Sequence, residues 1–157
     1  MPPSFVYDLS KVDFTRLVVS LEGIQQIIPQ RFEMAQLDGI VHIDEPADTI
    51  IGVKYVTENE FWCRGHIPGR PLMPGVMMIE CAAQLSAYWV MKKHPERGFI
   101  GFAKCDETRF RGTVVPPATL FMIAQMVEQG RRRTVSRCQG IVDGTLIFES
   151  LITGMSV

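Results

Sequence analysis

The alternation of apolar and polar positions along the chain predicts a sheet of five or six strands and one long helix. β-Branched and apolar residues alternate with polar ones in two segments before the helix and in up to four after it. Asp143-Gly144 between the last two segments is a strong signal for a two-residue hairpin turn. The predicted strands lie at 32–43, 49–57, 98–111, 119–128, 134–142 and 145–153.

The longest apolar run, from Gly75 to Met91, predicts a buried helix. Pro74 suits the first turn of a helix, and the sequence 92–95, Lys-Lys-His-Pro, is typical of a helix end. The run approaches the length of a membrane span, but it contains Glu80, whose charge is costly in a lipid environment. We therefore expect no membrane span, and an α+β fold in which an antiparallel sheet wraps around a central helix.

The remaining segments predict one domain, 1–157, with residues 1–19 as an N-terminal lead-in. A chain of 157 residues has the length of a single domain. Helical spacing of apolar residues predicts a further helix from Arg16 to Ile28, which Pro29 would end. Residues 63–75 are so rich in Gly and Pro that an irregular loop is expected there.

Charge and cysteine content exclude several classes of protein. The net charge of -1 argues against a general nucleic-acid binder. Residues 1–60 are acidic and residues 61–157 basic, which indicates either a patch for an acidic partner or scattered solvated charges. The four cysteines form no close pairs, as zinc sites usually require, and the N-terminus does not resemble a signal peptide. A reduced, cytoplasmic protein is expected.

Glu80 is the one charged residue in the apolar run, and its presence there needs an explanation. It could pair with a cation such as Arg70 or Arg111, or it could be an acid that keeps its proton near neutral pH. Gln84 lies one helical turn later and could hydrogen-bond it. His66, in the Gly- and Pro-rich loop before the helix, is a candidate partner in chemistry.

The segment that contains these residues resembles a known family. Gly65 to Val76 reads GHIPGRPLMPGV and is followed by Ile79-Glu80 and Ala83-Gln84. It is similar to the signature of the 3-hydroxyacyl-acyl-carrier-protein dehydratases of the FabZ type, which have the hot-dog fold. The resemblance covers residues 20–155, with weaker support from 56–60, 109–111, 114–116 and 140–144.

The resemblance implies a role for each matching residue. It implies that (3R)-3-hydroxyacyl chains on acyl carrier protein lose water in fatty acid biosynthesis and become trans-2-enoyl chains. His66 matches the catalytic histidine, suited to act as a base, and Glu80 matches the catalytic acid. Gly75 matches the residue whose N–H holds the thioester carbonyl, and the N–H of Val76 is a second free donor at the helix start. Gln84 would support Glu80, and no metal or cofactor is expected.

The family also implies partners and an assembly. Its active site forms across a homodimer, with histidine from one subunit and acid from the other, and such dimers can assemble into trimers of dimers. Acyl carrier protein is acidic, so a basic cluster near a hairpin is a candidate docking site, although a solvated turn would look the same. This cluster consists of Arg131, Arg132, Arg133 and Arg137.

Three positions depart from the family pattern, and other functions on the same fold stay open. Gln30 stands in place of His, Ile67 in place of Phe, and Pro117 in place of Gly. These changes put chain-length preference and tunnel shape in doubt more than catalysis. The alternatives are a hot-dog thioesterase or acyl-CoA hydratase, and a non-catalytic acyl-binding subunit.

Overall fold

The computed structural model describes residues 2–157. These residues form a curved sheet around one long helix. The strands are β1 (Val19–Ser20), β2 (Gly39–Asp44), β3 (Thr49–Val56), β4 (Ile100–Phe110), β5 (Ala118–Gln129), β6 (Arg133–Val142) and β7 (Thr145–Ser156). The helices are α1 (Leu21–Gln25) and α2 (Gly75–Lys93), and short 3₁₀ turns occur at Leu9–Lys11, Phe32–Met34 and Pro95–Arg97.

All seven strands belong to one antiparallel sheet in the order β1-β2-β3-β5-β6-β7-β4. Hairpins join β2 to β3, β5 to β6 and β6 to β7, and the last of these has the turn predicted from the sequence. There Asp143 and Gly144 have φ values of 49° and 75°, the left-handed pair that a two-residue hairpin needs. β4 pairs only with β7 among the described strands, so its other side is an open edge.

The helix α2 lies against the concave face of this sheet and contacts strands β3 to β7. Its buried residues include Leu85, Tyr88 and Trp89, each at most 2% exposed. At its C-terminal end Lys93 and the indole N–H of Trp89 both bind Asp48, at 2.9 and 2.7 Å. The predicted α+β hot-dog architecture, with the helix in the core, is confirmed.

Residues 2–18, which we call the N-terminal strap, cover part of the opposite face of the sheet. Tyr7 is buried there in a second apolar cluster with Val41, Ile51 and Ile123. Its hydroxyl donates to a carboxylate oxygen of Asp44 at 2.6 Å. Burial, followed by the hydrogen bond and charge of Asp44, raises the pKa of Tyr7 to about 12.

Two local predictions are wrong in detail. The helix expected from Arg16 to Ile28 is restricted to α1. The residues before α1 belong to the sheet instead, because the N–H of Val18 donates to the carbonyl of Ile40 and β1 pairs with β2. The Ser20 side chain then caps α1 by accepting from the N–H of Gly23. The extended segment expected at 32–43 begins instead with a 3₁₀ turn and becomes a strand at Gly39.

Candidate active site

The loop before α2 holds His66 through its backbone. The N–H of His66 donates to the carbonyl of Trp62 at 2.7 Å, and the N–H of Leu72 donates to the carbonyl of His66 at 3.0 Å. Trp62 is buried, and Met73 donates to Val114 at 2.8 Å, so both ends of the loop are attached to the core. The irregular loop predicted at 63–75 is confirmed, and it holds a half-buried histidine in a defined position.

The imidazole of His66 has a defined hydrogen-bonding direction. Nδ1 lies 2.8 Å from the carbonyl oxygen of Leu72. A carbonyl can only accept, so Nδ1 must carry the proton, and Nε2 of the neutral ring keeps a free lone pair. This tautomer is the one that a general base needs.

A buried ion pair braces the start of the same loop. Nζ of Lys54 on β3 lies 3.0 Å from a carboxylate oxygen of Glu60, and both side chains are largely buried. Burial raises the pKa of Glu60, but the hydrogen bond from the N–H of Thr57 and the pairing with Lys54 outweigh it, so the pKa lies below its ordinary value. Lys54 was not predicted as a supporting residue, although a lone lysine in the apolar strand 49–57 is a visible signal.

The helix begins with two backbone donors that have no acceptor. Pro74 precedes α2 and supplies no side-chain cap. Within residues 2–157 no hydrogen bond uses the N–H of Gly75 or Val76, whereas Met77 donates to Pro74 at 2.9 Å. A Cβ on Gly75 would lie 2.8 Å from the ring of Phe110, so the close packing of that ring requires glycine here.

Gln84 holds Glu80 as predicted, but Glu80 is partly exposed and not buried as expected. The amide nitrogen of Gln84 donates to Glu80 at 2.8 Å and to the carbonyl of Met34 at 2.6 Å, and its oxygen accepts from the N–H of Gln36 at 3.0 Å. The alternative pairing of Glu80 with Arg70 or Arg111 is wrong. Within the described chain Glu80 forms no ion pair, and Arg111 pairs with Glu149 at 2.5 Å.

Glu80 opens into a cleft of about 120 Å³ between α2 and the end of the sheet. The helix contributes Glu80, Gln84 and Ser86 to its lining, and the opposite wall comes from residues 99–102 and 152–154. Of the three departures from the family pattern, Gln30 lines this cleft, Ile67 is exposed on the loop, and Pro117 follows a cis peptide bond. The polar cleft residues Ser86 and Thr153 were missed, since nothing in a strand or helix pattern marks them.

His66 does not lie in the cleft that Glu80 lines. No hydrogen bond joins the two side chains within residues 2–157. Within one protomer the predicted base and acid thus neither line the same cleft nor hydrogen-bond each other.

The four candidate docking arginines have different surroundings. Arg133 pairs with Glu128 at 3.0 Å and Arg137 with Glu107 at 3.7 Å. Arg131 and Arg132 are exposed and line one surface depression together with Arg97 and Glu96. Across residues 2–157 no carboxylate pairs with Arg131 or Arg132, so these two are the freest cations of the cluster.

Two further predictions concern membranes and metal ions. Neither helix in the described residues is long and apolar enough to cross a membrane. Over the same residues no three His, Cys, Asp or Glu side chains cluster in a way that suits a metal ion. The expectation that the reaction needs no metal or cofactor remains a prediction.

Comparison with solved structures shows the fold. The dehydratase heterocomplex ApeI:P from Xenorhabdus doucetiae matches with a TM-score of 0.73 and 13% identity, over 85% of this chain and 90% of that chain. A putative thioesterase from Ralstonia eutropha JMP134 matches with a TM-score of 0.62 and 16% identity, over 74% and 82%. At these identities the similarity concerns the fold alone.

Comparison with sequences shows the family. The model of the FabA-like domain matches residues 28–150. The 3-hydroxyacyl-acyl-carrier-protein dehydratase FabZ of Streptococcus pneumoniae serotype 19F (strain G54) is 32% identical over 137 residues, which cover 87% of this chain and 96% of the relative. FabZ of Streptococcus pneumoniae strain Hungary19A-6 matches with the same identity and coverage. The chain therefore belongs to the FabA-like family and is related to FabZ over most of its length.

Proposed function

We propose that the protein dehydrates 3-hydroxyacyl chains on acyl carrier protein to trans-2-enoyl chains in fatty acid biosynthesis. The observation that carries this proposal is the pair formed by an oriented His66 and a cleft-facing Glu80. The name of the related FabZ gives the same reaction and the same carrier. Four free cysteines, two of them buried, suit a reducing compartment, and we place the activity in the cytoplasm.

The reaction needs a base, an acid and a site for developing negative charge. Nε2 of His66 takes the proton from C2, and the electron pair of that bond forms the C2–C3 double bond. Glu80 gives its proton to the C3 hydroxyl, which leaves as water when the C3–O bond breaks. The N–H groups of Gly75 and Val76 hold the thioester carbonyl oxygen, where charge builds up during the step.

We propose that the complete site forms between two protomers, with His66 from one and Glu80 from the other. Three features support a dimer: His66 is absent from the lining of the Glu80 cleft, β4 has an open edge, and apolar side chains are exposed on β4 and at the start of α2. Phe102 on β4 is 53% exposed, and Val76 at the start of α2 is 68% exposed. We also propose that three such dimers can assemble into a trimer of dimers.

We propose that Arg131 and Arg132 bind the acyl carrier protein, because they have no carboxylate partner within residues 2–157. Arg133 and Arg137 contribute less, because each faces a glutamate. Exposed cations attract an acidic carrier from a distance and mainly affect encounter.

Turnover of a 3-hydroxyacyl chain on acyl carrier protein tests the function. Wild-type protein is expected to form the conjugated enoyl thioester, and His66→Ala and Glu80→Gln are expected to lose this activity. Release of free thiol without enoyl product would instead indicate a thioesterase, and a requirement for coenzyme A thioesters would indicate the hydratase. No reaction with any of these substrates would favour the non-catalytic acyl-binding subunit.

A further inference from the structure

The side-chain amide of Gln84 has only one orientation that satisfies its neighbours. The backbone N–H of Gln36 lies 3.0 Å from one end of the amide, and the backbone carbonyl of Met34 lies 2.6 Å from the other end. A backbone N–H can only donate and a carbonyl can only accept, so the amide oxygen must face Gln36 and the amide nitrogen must face Met34. The same nitrogen lies 2.8 Å from a carboxyl oxygen of Glu80. Glu80 therefore meets a donor.

The opposite orientation of this amide would disable the proposed acid. The oxygen of Gln84 would then face the carboxyl group of Glu80 and would accept the acid proton, which would no longer be available to a substrate hydroxyl. The turned amide would also place its oxygen against the carbonyl of Met34 and its nitrogen against the N–H of Gln36. Gln84 is 2% exposed, so water does not replace these lost contacts. The two backbone groups thus keep the acid proton free.

The positions of these two backbone groups depend on the 3₁₀ turn that begins at Phe32. Phe32 has a φ of 55°, a left-handed value that is unfavourable for a bulky residue, and its side chain is 88% exposed. Packing of this side chain therefore does not hold the turn. The side-chain amide of Gln36 donates to the carbonyl of Glu33 at 2.7 Å, and Gln36 is 1% exposed. Backbone hydrogen bonds from Met34 and Ala35, at 3.1 and 3.0 Å, complete the turn.

We propose that Gln36 is a positioning residue for the acid Glu80 and acts through the amide of Gln84. Its side chain holds the turn, and its backbone N–H keeps the oxygen of Gln84 away from Glu80. The proposal rests on the dehydratase function proposed above. Within residues 2–157 Gln36 forms no hydrogen bond with Glu80, so its loss should slow the chemical step and leave substrate binding as it is.

Gln36→Met keeps the length of the side chain, removes its amide and so tests the proposal. We expect kcat to fall about fivefold, the effect of one neutral hydrogen bond, and KM to stay the same. In a Gln84→Leu background the same change should have no further effect, because the amide that it orients is gone. Gln139→Met is the matched control and should leave kcat unchanged, since Gln139 is a buried glutamine that hydrogen-bonds the backbone of the N-terminal strap.

A second measurement does not depend on turnover. The amide nitrogen of Gln84 donates to two acceptors, so its protons should exchange slowly with water in the wild type. Nitrogen NMR identifies this signal by its absence in Gln84→Leu. We expect faster exchange in Gln36→Met and unchanged exchange in Gln139→Met. If Gln36→Met does not fold, the same comparison is made in a Phe32→Gly background, because glycine adopts a φ of 55° without strain.

The outcomes separate this inference from the proposed function. An unchanged kcat in Gln36→Met, or a change in KM alone, would overturn the inference and leave the dehydratase function intact. An equal loss of kcat with and without Gln84 would also overturn it, because Gln36 would then serve the fold in general. If the wild type turns over no 3-hydroxyacyl chain, the proposed function fails. Amide exchange then decides whether Gln36 holds the amide of Gln84, and unchanged exchange in Gln36→Met would overturn this.

Discussion

Nδ1 of His66 and the carbonyl oxygen of Leu72 lie 2.8 Å apart, and this contact fixes which nitrogen of the neutral ring carries the proton. We expect nitrogen NMR to show a protonated Nδ1 and an unprotonated Nε2 in the neutral ring. His66→Ala should lower kcat by at least about 100-fold, the usual contribution of a general base. His94→Ala is the matched control, since His94 lies beside Glu96 after the end of α2 and should tolerate the change. A protonated Nε2 would contradict the assigned role.

Mixing two inactive variants tests whether the active site is shared. If His66 and Glu80 act across a dimer, a dimer of one His66→Ala and one Glu80→Gln subunit has one intact site and one that lacks both groups. Equal mixing and exchange of subunits should then restore roughly a quarter of wild-type activity. If each site lay within one protomer, neither subunit of the mixed dimer would have both groups, and no activity would return.

Gln84 is expected to matter for both stability and activity. Gln84→Leu removes the donor to Glu80 and leaves the carbonyl of Met34 and the N–H of Gln36 without their partner. Buried groups left in this state cost about 1–3 kcal/mol, which urea unfolding should detect. Activity should fall as well, because the carboxyl of Glu80 loses its orientation. Gln26→Leu, on the exposed surface, is the control and should change neither quantity.

The architecture was predictable from the sequence, because it depends on local patterns, whereas the roles of the site residues came from the family resemblance and stay predictions. The apolar run Gly75–Met91 and the turn Asp143-Gly144 have few alternative structures, and GHIPGRPLMPGV is a specific signature. The hydrogen bond from Gln84 to Glu80 was predictable, because the two residues lie one helical turn apart. The contacts of Gln84 with Met34 and Gln36 were not predictable, because they depend on packing between distant segments.

Gly75 and Phe110 should behave as a coupled pair. Gly75→Ala places a methyl group within contact distance of the Phe110 ring, and overpacking of this kind costs about 1–3 kcal/mol. Phe110→Leu should relieve part of the loss in the double variant, so that the two free-energy changes are not additive. Gly65→Ala, with no atom near the added methyl group, is the control. Strict additivity in a double-mutant cycle would show that the contact has no energetic effect.

The N-terminal strap should loosen at high pH. Tyr7 is protonated in the folded protein up to a pKa of about 12, compared with 10.0 for the free side chain. A raised pKa stabilises the fold fully below pH 10, and this contribution is lost as the pH rises from 10 through 12. Tyr7→Phe should remove this part of the alkaline decline in Tm, while Tyr55→Phe, at an exposed tyrosine, should not. An identical alkaline profile for wild type and Tyr7→Phe would contradict the assignment.

The helix α2 contributes both to the hydrophobic core and to the proposed active site. It fills the centre of the core with Leu85 and Trp89, and it also carries Glu80 and the free donors at Gly75 and Val76. A core substitution that shifts this helix would displace the proposed acid and the proposed carbonyl site in the same movement. Selection for activity would then also preserve packing density, and variation should concentrate on the cleft wall opposite the helix.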